Sequence, residues 1–137
     1  MVVKEVLAVI RMNRMNETKQ ALADAGIASF TARKVAGRGK GKVDYTLLRG
    51  AEEGHEEAIS QLGPGPKLVP KRMLFIVVPD EAVSRVVDTI MEANHTGYPG
   101  DGKVFVMPVR ESIRIHTGEM NNAALDETVD DIVRGRA

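Results

Sequence analysis

The chain of 137 residues is the size of one domain, and a compact fold of this length hides roughly two-thirds of its unfolded surface. Its 19 Lys and Arg residues balance 19 Asp and Glu residues, so an anion must be captured by local geometry rather than by a long-range field. The low aromatic content, with three Phe, two Tyr and no Trp, argues against base-stacking platforms for nucleic acid. The absence of Cys excludes disulfides and thiolate metal sites.

The first predicted element is a strand from Val3 to Arg11, a nearly continuous apolar run of the kind found in strands buried on both faces or at a subunit contact. The apolar stretch from Val2 to Ile10 carries Lys4 and Glu5 and is far shorter than the ~20 apolar residues that span a bilayer. It leads into Arg11 and Arg14 without the small-residue cleavage pattern of a signal peptide. We therefore expect a cytoplasmic protein that does not insert into a membrane.

A helix and a second strand are predicted next. Asn16 can cap the helix through its side chain, and Gly26 stands where a left-handed residue ends a helix. The helix is therefore expected at about Glu17 to Ala25. Ile27 to Val35 shows a weaker strand pattern, which stops at the glycines that follow it.

A long loop is predicted from Gly37 to Pro70, because this stretch is rich in glycine, proline and charge. It shows no sustained periodicity beyond a possible short helix around Glu56 to Leu62, and such loops are usually functional or disordered. Met73 to Val78 is the most strand-like segment of the chain. Asp80 is then expected to cap a second helix, whose apolar residues follow helical spacing from Val83 to Ile90.

A fourth strand is predicted from Lys103 to Val109, and the alternation from Ser112 to Thr117 predicts a short final strand. The tail from Glu119 onward is typical of a short amphipathic helix or a frayed end. The order β-α-β-β-α-β predicts an α+β fold, the ferredoxin-like sandwich, with two helices on one face of an antiparallel sheet. Because the other face is also apolar, self-association is the simplest way to bury it.

The segment from Gly97 to Lys103, with the sequence GYPGDGK, is a candidate phosphate cradle. It places three glycines and a lysine directly before a strand, where backbone N–H groups can converge on an anion. Taken alone, a plain turn between two elements is the more ordinary interpretation, because glycine-rich turns are common.

Arg114 and His116 could add a second anion contact. They lie two apart on the predicted final strand, so both would point to one face while Ile113 and Ile115 point to the core. An exposed, solvated strand face is the alternative interpretation.

The basic stretch from Gly37 to Lys42, GRGKGK, satisfies neither the Walker pattern nor the dinucleotide fingerprint. Either a flexible basic loop or a site that captures phosphate or carboxylate fits it. His55 and His95 have no second metal ligand at a recognisable spacing, so we do not expect side chains to form a metal site. Both histidines are expected to be exposed.

The stretch from Thr96 to Val106 closely resembles the C-terminal signature of PII proteins, and Ile113 to Glu119 follows at the family's distance. Lys4 to Arg11, Arg49 to Glu52, and Lys71 followed by Ile76 to Asp80 are similar to the family as well. The resemblance covers about residues 3 to 119. It implies a PII-like domain at 1–119, with a long T-loop at about 37–70 and a C-terminal extension at 120–137.

The resemblance implies a trimer with clefts between subunits that bind ATP or ADP, and 2-oxoglutarate beside ATP and Mg²⁺ at the base of the T-loop. The implied nucleotide contacts are Thr31, Gly37, Gly39, Lys40, Gly100, Asp101, Gly102, Lys103, Arg114 and His116. The implied 2-oxoglutarate contacts are Lys71 and Gly41. The implied target-binding loop residues are Lys42, Tyr45, Arg49, Glu53 and His55.

Four positions depart from the family pattern. Gly41 stands in place of the usual glutamine that contacts magnesium and 2-oxoglutarate. His116 replaces the usual second arginine of the final strand, and Phe75 replaces a glutamate near the nucleotide. Glu53 occupies the place of the tyrosine that some bacterial members carry for uridylylation, so that modification cannot occur there, and Tyr45 lies elsewhere in the loop.

The T-loop is longer than in ordinary members, through residues 54–69, and the chain extends beyond Glu119. Both features resemble the NifI type, the longer of two PII-like proteins encoded with archaeal and some bacterial nitrogenases. Together these two inhibit dinitrogenase, the molybdenum-iron protein, and release it when 2-oxoglutarate and ATP bind. The resemblance thus implies dinitrogenase as the target, a sister PII-like subunit as a partner, and a homotrimer or a mixed oligomer.

Two other functions stay open from sequence. A conventional PII regulator of an ammonium transporter or of glutamine synthetase is the nearer alternative. An ATP-hydrolysing enzyme is supported only by the phosphate cradle, because no residue can be named that positions an attacking water, so we expect a binding protein rather than an enzyme. In the favoured hypothesis, Glu53 to Val69 carries target recognition and contributes little to folding.

Overall fold

The computed structural model describes residues 2–39, 68–126 and 132. Within these ranges the strands are β1 (Val3–Arg11), β2 (Thr31–Gly37), β3 (Val69–Pro79) and β4 (Lys103–Val109), and the α-helices are α1 (Met15–Asp24) and α2 (Val83–Asn94). All pairings are antiparallel, and the strand order is β2-β3-β1-β4. This is the ferredoxin-like arrangement, so the predicted fold class is confirmed. None of the helices described could cross a membrane.

Cross-strand register divides the sheet into two different faces. On one face Val6 lies opposite Ile76 and Val106, and on the other Leu7 lies opposite Phe75 and Phe105. The first face packs on the helices. Its core contains Val6, Ala8, Ile10, Leu74, Ile76 and Val78 from the sheet and Leu22, Val86 and Ile90 from the helices. In the part of the chain that the structure describes, the second face carries no helix and exposes Phe105 and Val77, which agrees with the apolar face expected from sequence.

Helix α1 ends in a Schellman turn at Gly26. The Ile27 N–H donates to the Leu22 carbonyl at 2.8 Å, and the Gly26 N–H donates to the Ala23 carbonyl at 3.0 Å. Gly26 has a φ of 88°, in the left-handed region that glycine enters without a steric penalty. Leu22 and Ile27 both belong to the buried core, so this turn fixes where the chain leaves the helix.

The two side-chain caps expected from sequence are wrong. Asn16 lies inside α1, and Arg14 at the cap position makes no side-chain capping bond. Asp80 begins the 3-10 turn Asp80–Ala82, and its carboxylate lies 3.9 Å from the Lys4 ammonium. A short 3-10 turn precedes each helix and uses i to i+3 backbone bonds, such as that from the Met15 N–H to the Met12 carbonyl, where a side chain was expected.

The strand boundaries differ from the expected ones on either side of the long loop. β2 begins at Thr31 rather than Ile27, because Ile27 is taken into the core by the turn after α1. β3 begins at Val69, four residues earlier than expected, because pairing with β1 and β2 continues to the end of both strands. β4 has the predicted bounds. The predicted short helix at 56–62 lies outside the described residues.

The predicted final strand is also wrong. Residues 112–121 form a hairpin closed by a single bridge between Ile113 and Met120, and Ile115 is 100% exposed, so these isoleucines do not reach the core of this chain. Gly118, with a φ of 76°, reverses the chain before a ladder can form. Further on, the extension returns to the molecule, because Ile132 is fully buried in the core cluster.

Candidate functional site

The loop between α2 and β4, residues 95–102, is fastened to the end of β1 by Arg11. The Arg11 guanidinium is 1% exposed. Its Nη1 donates to Asp101 Oδ1 and its Nη2 to the Pro99 carbonyl, both at 2.8 Å, with longer contacts of 3.4 Å to the Tyr98 carbonyl and Thr96 Oγ1. Charge-assisted bonds of this kind are the stronger ones in proteins, so Arg11 fixes the loop's shape.

Asp101 is the acceptor at the centre of this loop. It accepts hydrogen bonds from Arg11, from the hydroxyl and N–H of Thr96, the latter at 2.9 Å, and from the Gly97 N–H at 3.1 Å. Partial burial raises the pKa of Asp101, but the hydrogen bonds from Thr96 and Gly97 and the charge of Arg11 outweigh it, and the pKa lies below its ordinary value. The structure therefore gives Asp101 a positioning role in the loop.

Two glycines near this loop are constrained in opposite ways. Gly102 has a φ of 110°, and a Cβ there would overlap the backbone carbonyl of Val9, so the loop can approach β1 only with glycine at this position. A Cβ on Gly37, at the end of β2, would meet no atom of residues 2–39, 68–126 or 132 within 4 Å. The packing of this chain therefore explains Gly102 but leaves Gly37 without a steric reason.

Two lysines lie on the open sheet face beside the loop. Lys71 on β3 lies opposite both Arg11 and Val35, and its ammonium donates to the Gly100 carbonyl at 2.8 Å. Lys103 is the exposed first residue of β4. The structure thus brings together, at one end of the sheet, the predicted site residues Gly37, Lys71, Gly100, Asp101, Gly102 and Lys103. Gly39 follows two residues after β2, while Lys40, Gly41 and the target-loop residues Lys42, Tyr45, Arg49, Glu53 and His55 lie outside the described residues.

The other predicted contacts lie elsewhere in the chain. Thr31 is at the far end of β2, six residues from Gly37, which corresponds to about 20 Å of extended strand. It lies opposite Phe75. Arg114 and His116 belong to the C-terminal hairpin, and the side-chain contacts described for Arg114 are all with residues 119–126. A single chain therefore presents the predicted site in separate parts.

Sequence reasoning did not assign Arg11 or Thr96 to the site. Arg11 ends an apolar strand, and register places it directly opposite Lys71, a pair of like charges that is unfavourable without a nearby acceptor. Asp101 supplies that acceptor for Arg11, and the register that requires it is visible only in the structure. Thr96 could be recognised only once the loop geometry showed its hydroxyl and N–H on the same carboxylate.

Comparison with known proteins identifies the family of this chain. The family model described as "Nitrogen regulatory protein P-II" matches residues 3–119. The "Nitrogen fixation nifHD region GlnB-like protein 2" of Methanobacterium ivanovii is 41% identical, with 89% of this chain and 98% of that protein covered. The protein of the same description from Methanococcus maripaludis is 42% identical, with 89% and 99% covered.

More distant relatives are similar as well. "Nitrogen regulatory protein P-II 1" of Escherichia coli (strain K12) is 38% identical over 122 residues, with 89% of this chain and 99% of that protein covered. Among solved structures, "Crystal Structure of Arabidopsis thaliana PII bound to citrate" matches with a TM-score of 0.66 and 32% identity, and covers 90% of this chain and 92% of that one. The chain therefore belongs to the nitrogen regulatory protein P-II family.

Proposed function

We propose that the protein is a cytoplasmic regulator of nitrogen fixation that binds ATP or ADP and 2-oxoglutarate. It inhibits nitrogenase when its T-loop binds dinitrogenase directly, and 2-oxoglutarate together with MgATP releases it. The archaeal relatives support this branch, since their descriptions place them in nifHD regions and they are 41% and 42% identical to this chain. The Escherichia coli relative, at 38%, keeps a conventional PII regulator of an ammonium transporter or glutamine synthetase as the second candidate.

The main support for a ligand site is the position of the glycine-rich loop, residues 95–102, beside Lys71 and Lys103. The hydrogen bonds of Arg11 to Asp101 and to the Pro99 carbonyl fix the loop, so little further ordering would be needed for an anion to bind there. Lys71 and Lys103 supply positive charge next to its backbone. In a chain whose charged residues balance, this local arrangement is what would attract a phosphate chain.

Gly37 fits a bound nucleotide. Glycine in a strand costs roughly 0.5–1 kcal/mol relative to alanine, and among the described residues no atom occupies the space beside Gly37. Close approach of a ligand is a common reason for such a glycine. Mg²⁺ in proteins is often bound through the phosphates of a nucleotide, so ATP would bring the ion with it. The ion would neutralise part of the phosphate charge. Lys103 and the loop backbone would hold the phosphates, and Lys71 a carboxylate of 2-oxoglutarate.

The division of the predicted site supports an oligomer. Thr31 lies at the far end of β2 from Gly37, and the side-chain contacts described for Arg114 are with residues 119–126, so a second copy would bring these residue types to the same nucleotide. The open apolar face of the sheet, which exposes Phe105 and Val77, offers the surface for this assembly. We propose a trimer with one nucleotide in each cleft between subunits, composed either of this chain alone or of this chain and a sister PII-like subunit.

The ligand proposal is tested by calorimetric titration of MgATP into Lys103→Ala. A charge-assisted contact to phosphate contributes about 1.5–3 kcal/mol, so the affinity should fall about tenfold or more. Lys19→Ala removes an exposed lysine from α1 and is the matched control, which should bind as the wild type does. Equal affinities of the two variants would contradict the phosphate site.

Lys71→Ala separates the two ligands. It should keep most of its MgATP affinity and lose most of its 2-oxoglutarate response, measured as the change in 2-oxoglutarate affinity in the presence of MgATP. An unchanged response would show that the effector binds elsewhere. Sustained release of phosphate from ATP by the purified protein would overturn the sensor proposal in favour of an ATP-hydrolysing enzyme.

Target recognition is tested by deletion in the loop. Val69 is buried in β3, so the deletion must end before it, and residues 53–67 are the segment to remove. The shortened protein should bind MgATP normally and fail to retain dinitrogenase in a pull-down. Wild-type retention that 2-oxoglutarate plus MgATP still releases would place recognition elsewhere in the chain. Loss of folding would show that this segment is packed structure.

A further inference from the structure

One nitrogen of the Arg114 guanidinium, Nη2, faces acceptors from the C-terminal extension. Nη2 lies 3.1 Å from the Ala124 carbonyl, 3.3 Å from the Leu125 carbonyl and 3.1 Å from Asp126 Oδ1. The Arg114 Nε lies 3.5 Å from Glu119 Oε1. Residues 124–126 lie beyond residue 119, where the family match ends, so this chain adds most of these acceptors to a family-matched arginine.

The hairpin backbone determines this geometry. The Arg114 N–H donates to the Glu119 carbonyl at 2.8 Å, and the Asn121 N–H donates to the Ser112 carbonyl at 2.6 Å. Asn121 has a φ of 54°, a left-handed conformation that asparagine tolerates better than most residues, and the 3-10 turn Asn121–Ala124 follows it. The turn directs the carbonyls of residues 124 and 125 back to the guanidinium.

We propose that Asp126 and the two carbonyls compete with nucleotide for Arg114. The inference rests on the proposed function, in which Arg114 contacts phosphate. Nη2 has two N–H groups and already faces three oxygen acceptors, so a phosphate can bond to Nη2 only if residues 124–126 withdraw. The Asp126 carboxylate is the anionic member of the set and takes the role that a phosphate oxygen would have.

Exposure makes this exchange possible. The side chains of Arg114 and Asp126 are 33% and 52% exposed, so water can replace either partner and the ion pair is a weak one. Nucleotide binding therefore releases residues 124–126 from Arg114, and these residues lower nucleotide affinity by the same factor, because the two events are thermodynamically linked. The opposite hypothesis, that Asp126 orients Arg114 for phosphate, predicts a loss of affinity when Asp126 is removed.

Calorimetric titration of MgATP into Asp126→Ala tests whether Asp126 weakens or strengthens nucleotide binding. The interaction energy of an exposed ion pair corresponds to a change in affinity of about 1.4- to fivefold, so the MgATP affinity of Asp126→Ala should rise within this range. Glu111→Ala is the matched control: it removes an exposed carboxylate near Arg114 in sequence that makes no ion pair with it among the described residues, and it should leave affinity unchanged. In an Arg114→Ala background, Asp126→Ala should have no effect.

A second measurement follows the extension itself. The chain has no cysteine, so Ala123→Cys can be labelled with a fluorophore at a single position. MgATP should change its emission in the wild-type background and leave it unchanged in Arg114→Ala. Unchanged or weaker affinity in Asp126→Ala, with normal wild-type binding, would overturn the competition alone. Failure of both wild type and Asp126→Ala to bind MgATP would refute the proposed nucleotide site, and the competition with it.

Discussion

Replacement of Arg11 by methionine should destabilise the whole protein, although Arg11 lies at the end of a strand. The side chain is 1% exposed and bonds at 2.8 Å to Asp101 and to the Pro99 carbonyl. Loss of one partner of a buried ion pair costs about 3–5 kcal/mol. Asp101 is 25% exposed, so water can solvate the carboxylate left behind, and we expect about 3 kcal/mol. Methionine retains much of the length of arginine, which limits any contribution from a cavity.

The assay is urea unfolding followed by far-UV circular dichroism at a fixed protein concentration, because the stability of an oligomer depends on concentration. Arg85→Met is the control, since Arg85 is exposed on α2 and its side chain forms no ion pair among the described residues; it should change stability by less than about 0.5 kcal/mol. A loss below about 1 kcal/mol for Arg11→Met would refute the reasoning. So would additive losses in the double variant with Asp101→Asn, because partners in one pair should couple.

Three further predictions concern stability and the site. The pKa of Asp101 is lowered on folding, so the ionised carboxylate stabilises the folded state above its unfolded pKa of about 3.9, and this stabilisation is lost as pH falls through the lower folded pKa. The difference in unfolding free energy between wild type and Asp101→Asn should therefore shrink below about pH 4. Gly102→Ala should unfold the loop or the protein, since its Cβ would overlap the Val9 carbonyl, whereas Gly37→Ala should fold normally and weaken MgATP binding in titration. Ile132→Ala should lower the free energy of unfolding by about 2–4 kcal/mol in urea denaturation, and a change below about 0.5 kcal/mol would show that Ile132 is not part of the core.

The hydrophobic periodicity of the sequence predicted the fold, because the order of strands and helices along the chain restricts how the strands can pair. The apolar run at Val3–Arg11, the strand-to-helix passage at Pro79 and the strand at Lys103–Val109 are strong signals, and β-α-β-β-α-β then allows few topologies. The helix starts were missed because the same polar residues that cap helices also tolerate 3-10 turns. Backbone bonds decide between the two, and the sequence does not show them.

The candidate site was predicted in part, and the missing part is informative. The motif from Gly97 to Lys103 pointed to the loop, but not to Arg11, which lies about 85 residues away in sequence from Thr96. Only the register of β1 with β3 brings Arg11 and Lys71 together. The alternation at Ile113 and Ile115 indicated a strand. The turn at Gly118 reverses the chain after a few residues, so only the single bridge between Ile113 and Met120 forms.

The attachment of the loop to β1 has a consequence for hydrogen exchange. β1 is an inner strand, paired with β4 as far as Val9 and with β3 as far as Arg11, so its end is held to the sheet through β3. The Thr96 and Gly97 amides are bonded to Asp101, which Arg11 ties to that strand. These amides should therefore exchange with the sheet as one cooperative unit rather than by local fraying, and their protection should report the stability of the whole domain.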